Sequence, residues 1–184
     1  MEVDLISQEK IQKNDFRNTR WGMKKDKVLS TEENNPIDAS PFNQYFIVMY
    51  IGEIAGLKTD YRYAFLDDVL VIGGYLLKEK HSNKNGYITD YNKLKEILIR
   101  KYGSPKKSDS YWYNDLNKNS PQHYGLAVSI GHLAFESDWE TDRTLIRLTI
   151  EGDNFNLTMS LTYRSKIYKE LIDKADEKSQ EQGL

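Results

Sequence analysis

Three histidines, one run of acids and a scatter of serines and glycines are the residues of this chain best suited to chemistry. His81, His123 and His132 lie far apart in sequence, and none belongs to a His-Glu-x-x-His or similar ligand pair. A metal would need carboxylates brought in by the fold, so each histidine reads first as an ordinary loop or surface residue. Glu136, Asp138, Glu140 and Asp142 form the acidic run. In a strand, Glu136 and Asp138 share one face, and Asp138, Glu140 and Asp142 could crowd a turn around calcium. The run lacks the glycine and the distal glutamate of a calcium loop, which favours a solvated edge and turn. Ser129-Ile130-Gly131 lies outside any Gly-x-Ser-x-Gly frame. Gly52, Gly56, Gly73 and Gly74 make no phosphate loop, no Gly-Lys-Ser/Thr occurs, and they read as turns and bulges. A triad assembled in space stays open. No catalytic, cofactor-binding or metal-ligating residue is therefore assigned, no cofactor is expected, and the balance leans away from an enzyme.

Charge is equally spare. Arg17, Arg20, Lys24, Lys25 and Lys27 cluster, but Asp15, Asp26, Glu32 and Glu33 surround them, so they read as a solvated face. The net charge of -2 gives no electrostatic reason to seek nucleic acid or an anionic membrane. The aromatics, 13 Tyr, 3 Trp and 6 Phe, are more informative, because Tyr and Trp supply rigid, amphipathic contact area at interfaces. Tyr111, Trp112 and Tyr113 cannot all face one way in a strand, so either Trp112 or the Tyr pair points outward. These three are the candidate partner-facing residues. The bland alternative is that helices or loops cover both faces.

The elements that must position these residues are organised around one helix. Tyr91, Leu94, Leu98 and Tyr102, with Ile97, form an apolar stripe within residues 87–105, opposite Lys95, Glu96, Arg100 and Lys101. Thr89 is the expected N-cap, Gly103 the left-handed C-cap, and Pro105 forbids continuation. Before this helix, residues 24–30 make about two helical turns and 34–41 a loop. Three strands follow, at 44–54, 58–66 and 69–80, with turns at Ala55-Gly56 and Asp67-Asp68. Tyr61, Tyr63 and Phe65 share one face, and Gly73-Gly74 marks a bulge or a close backbone approach.

After the helix, Tyr111 to Tyr113 reads as a short strand and 121–130 as a short helix with Pro121 at its first position. A meander of three strands comes next. Leu133, Phe135 and Trp139 face one way in the first strand, and Ile146, Leu148 and Ile150 in the second. In the third, Leu157, Met159, Leu161 and Tyr163 oppose Asn156, Thr158, Ser160 and Thr162, a period of two that buries one face and wets the other. Ser165 caps a last helix with a stripe at Ile167, Leu171 and Ala175, and 177–184 is expected to fray.

The segments FRNTRWGM, KYGSP and GHLAFESDWETDRTLIRL, with Tyr163-Arg164-Ser165, resemble a family of low-GC Gram-positive bacterial proteins. The likeness runs from Phe16 to Ser165, and the family carries no established activity to transfer. More distantly, the helix-plus-meander plan is similar to beta-lactamase-inhibitor proteins and to small outer-membrane assembly lipoproteins. In those groups a Gly-x-Pro closes the helix, as Gly103-Ser104-Pro105 does here. The resemblance implies a protein that binds proteins, though function drawn from fold is analogy. Those relatives are usually exported, whereas this chain has neither cysteine nor a recognisable leader.

The expectation is an α+β fold of two similar helix-plus-antiparallel-meander units. A 1–15 arm precedes a first unit at 16–86 and a second at 87–164, and a C-terminal helix and tail occupy 165–184. Residues 1–10 lack a signal-peptide pattern and no apolar run approaches a membrane span, so a cytoplasmic protein is expected. Its partner is expected to be another protein, with self-association as a further form and neither nucleic acid nor membrane. The alternative is an enzyme or small-ligand binder with a pocket between two sheets.

Overall fold

A computed structural model describes residues 14–181. Most of the expected N-terminal arm and the last three residues lie outside that range. Eight antiparallel strands form a single sheet: β1 (Asp38–Phe42), β2 (Tyr45–Ile54), β3 (Leu57–Leu66), β4 (Val69–Leu77), β5 (Lys107–Trp112), β6 (Leu133–Glu140), β7 (Thr144–Asp153) and β8 (Asn156–Ser165). Their order is β1-β2-β3-β4-β8-β7-β6-β5. Two four-strand meanders thus meet through the antiparallel β4–β8 pair. The fold is α+β. One strand was missing from the expected plan: edge strand β1 begins inside the 34–41 loop. The strand expected at Tyr111 to Tyr113 runs instead from Lys107 to Trp112.

The tight turns follow from backbone geometry. Ala55-Gly56, Asp67-Asp68 and Asn154-Phe155 all have positive φ at both residues. That matches the two-residue turn whose twist suits a hairpin.

Each sheet face is covered differently. On the inner face, α2 (Asn85–Tyr102) and α3 (Tyr124–Ser129) pack over β6 and β7. Tyr91, Leu94 and Leu98 are buried as the helical stripe requires. Thr89 is not the N-cap: the helix starts a turn earlier, and the Thr89 hydroxyl donates back to the Asn85 carbonyl. Gly103 does close the helix, at φ 84°.

Over β2–β4 the inner face is covered by residues 14–32, including the short helix α1 (Lys25–Leu29). Phe16 and Trp21 are buried in the same core as Tyr61, Tyr63 and Phe65. The Phe16 ring lies 2.2 Å from where a Cβ on Gly73 would stand, so Gly73 marks the close approach. On the outer face, α4 (Lys169–Glu181) buries Ile172 and Ala175 against Leu66 and Val71. Ile167, expected in that stripe, is exposed, and the helix continues past Glu177 to Glu181. No helix among the described residues is long and apolar enough to cross a membrane.

Candidate binding face

Among the described residues, no element covers the outer face beyond α4, and its side chains follow from strand alternation. Inward Tyr61 and Tyr63 force Arg62 outward, and inward Leu161 and Tyr163 do the same to Thr162 and Arg164. Register then aligns Arg62, Gly74, Thr162, Arg147, Asp138 and Lys107 in one row across β3, β4, β8, β7, β6 and β5. The next row contains Ile72, Arg164, Leu145 and Glu140.

These two rows line an open concavity of about 650 Å³. Its walls carry five cations, Arg62, Lys106, Lys107, Arg147 and Arg164, against two carboxylates, Asp138 and Glu140. Ile72 and Leu145 supply apolar surface, and Leu145 is 38% exposed.

Most of these charges are held in place. Arg147 grips Asp138 with two bonds of 2.9 Å and approaches Glu136 at 3.6 Å. Such a planar fork fixes both partners. The bond to Asp138 raises the Arg147 pKa. Lys107 binds Glu136 at 3.0 Å and faces the Tyr111 ring, and bonds to Tyr111 and then Glu136 raise its pKa. Glu140 takes Lys106 at 2.8 Å and also Lys166, which lowers its pKa to about 2. Arg164 reaches Asp176 of α4 at 2.6 Å, and Asp176 also accepts from Tyr45. That pair marks where α4 stops covering the sheet. Arg62 is exposed and has no hydrogen-bond or ion-pair partner among the described residues.

The residues singled out in the sequence are distributed as follows. Trp112 turns inward and packs edge-on against Tyr124 at 5.1 Å. Tyr111 points to the outer face, and Tyr113, past the strand end, is 72% exposed. The fold therefore divides the three over different surroundings. The acidic run supplies the concavity's carboxylates rather than a free edge, and of the four Asp142 alone is exposed. His81 meets the buried Asp90 at 2.6 Å, His123 is exposed, and His132 has a buried Nδ1 without a partner among the described residues. Among the described residues, no three His, Asp or Glu side chains converge to hold a metal. Ser129 is buried, with its hydroxyl spent on the Leu126 carbonyl.

Two polar assemblies had no signal in the sequence. Lys95, Ser108, Ser137 and Tyr91 form a hydrogen-bonded chain, with Lys95 2.6 Å from Ser108. Burial pushes the Tyr91 hydroxyl pKa up to about 12. Ser108 is exposed, and neither it nor Lys95 lines the concavity.

The second assembly involves the basic cluster. Arg17 leaves that cluster to clasp Glu32 at 3.2 and 3.3 Å while lying 3.8 Å over the Tyr61 ring. Tyr61 donates to Glu32 at 2.7 Å, and Tyr63 donates to its other oxygen. Burial raises the Glu32 carboxyl pKa, but bonds from Tyr63, Tyr61 and Arg17 outweigh it and leave a net lowering. This cluster ties residues 14–32 to the sheet. The expected pocket between two sheets has no counterpart, because all eight strands belong to one sheet.

Comparison of the chain with protein-family models, with curated proteins and with solved structures finds no match.

Proposed function

We propose that this chain is a non-catalytic protein-binding module, of the kind an inhibitor or immunity protein requires, and that the uncovered sheet face is its working surface. One observation carries the reading. A concavity walled by prepositioned charges and floored by Ile72 and Leu145 occupies sheet surface that the described helices leave bare. Charges already fixed by neighbours lose little freedom when a partner docks, so their contacts are retained as affinity. A mixed rim around exposed aliphatic surface also suits protein recognition.

The test is affinity capture from lysate of the source organism. Wild-type protein is compared with the double variant Arg62→Glu/Leu145→Asp and with Arg100→Glu on exposed α2 surface. A stoichiometric protein retained by wild type and Arg100→Glu and lost by the double variant is the expected result. Capture indifferent to the double variant overturns the reading, as does a bound small molecule in place of any protein.

A further inference from the structure

We propose that the concavity receives an acidic, extended segment of a partner protein, laid across the strands with a carboxylate on Arg62. This inference rests on the binding-face reading and names the chemistry of the occupant. The chain as a whole carries a net charge of -2, and four of the concavity's five cations are answered by Asp138, Glu140, Glu136 and Asp176, so its uncompensated positive charge falls to Arg62. That local surplus complements an anionic partner and steers its approach.

The cations differ. Arg147, Lys106, Lys107 and Arg164 each hold a carboxylate of this chain, whereas Arg62 has none among the described residues. An exposed guanidinium with five fixed donors and no internal partner is well matched to an incoming carboxylate. Beside it, Gly74 adds no side chain to the row between Arg62 and Thr162, so the approach is open.

Geometry sets the size of the segment. Arg62 and Arg147 are three strand spacings apart, roughly 14 Å at ~4.8 Å each. An extended peptide of about four to five residues spans that distance at ~3.3 Å per residue. It crosses Gly74 and Thr162 and runs beside Ile72 and Leu145 of the next row, which suit an aliphatic side chain between two acids. Nucleic acid fits less well. Asp138 and Glu140 interrupt the positive field that a continuous phosphate backbone needs, and the Tyr111 ring on the outer face is already engaged by Lys107.

The experiment uses fluorescence anisotropy with the full chain and three labelled probes: the peptide Glu-Leu-Glu-Leu-Glu, its Lys-for-Glu counterpart, and a single-stranded DNA 15-mer. The acidic peptide is expected to bind, with affinity falling as salt rises and weakening at least tenfold in Arg62→Glu. Arg100→Glu, an equal charge change away from the face, is expected to bind as wild type does. A matching Tm for both variants confirms that each is folded. Absence of binding by the acidic peptide, equal loss in both variants, or tighter binding of the DNA overturns the proposal. A lysate protein lost on Arg62→Glu/Leu145→Asp, but not displaced by the acidic peptide, sinks this inference and leaves the binding face standing. Lysate capture that ignores the double variant sinks the binding face itself.

Discussion

Glu32 shows how one carboxylate can hold a segment in place. It is the common acceptor for Arg17, Tyr61 and Tyr63, and its side chain is 6% exposed. Replacing it by Gln leaves Arg17 uncompensated and is expected to cost about 3 kcal/mol in urea unfolding at pH 7. The pH dependence follows from the lowered carboxyl pKa. Its stabilisation is fully present above the unfolded value of about 4.3 and is lost as pH falls through the lower folded value. The stability gap between wild type and Glu32→Gln should therefore narrow from pH 7 to pH 3. A gap that stays constant would show that Glu32 acts by shape alone. None of this was legible in the sequence, where Arg17 and Glu32 were members of a mixed-charge stretch. Arg62 was half legible: alternation with Tyr61 and Tyr63 turns it outward, but its neighbours depend on the β4–β8 pairing, which joins residues some ninety positions apart.

The elements themselves were the most legible level. The stripe of α2, the meander β6–β8 and the Asp67-Asp68 turn follow from periods of 3.6 and 2 and from turn chemistry. Edge strand β1 escaped, and β5 was read only at its Tyr111–Trp112 end, because their exposed residues carry no buried alternation to read. The cover over β2–β4 escaped too, because an irregular strap has no period. Its fit is testable at Gly73. The Phe16 ring stands where an alanine methyl would go, so Gly73→Ala is expected to cost ~2 kcal/mol and to loosen residues 14–32 toward proteolysis. Unchanged stability and protease resistance would refute that close fit. The β7–β8 turn makes an opposite prediction. Phe155 is 65% exposed at φ 66°, a conformation costly for a bulky residue. Phe155→Gly, which creates an Asn-Gly turn, is expected to raise stability by about 0.5 kcal/mol in thermal unfolding. A loss of stability would show that the ring itself is stabilising.

At the scale of the whole molecule, one sheet carries two unlike faces. The inner face is closed by α2, α3 and residues 14–32, and the outer face by α4 over part of its width. The rest is a charged concavity, where a protein is proposed to dock. Leu145 on that face and Ile99 on α2 are nearly equally exposed, at 38% and 37%, so they form a matched pair. The most direct measurement places a photo-crosslinking amino acid at position 145, at position 99 or at the β7–β8 tip, position 155, and irradiates each protein in lysate of the source organism. An adduct of one defined mass is expected from position 145 and none from the other two. Adducts from 99 or 155 without one from 145, or no adduct from any position, would contradict docking at this face.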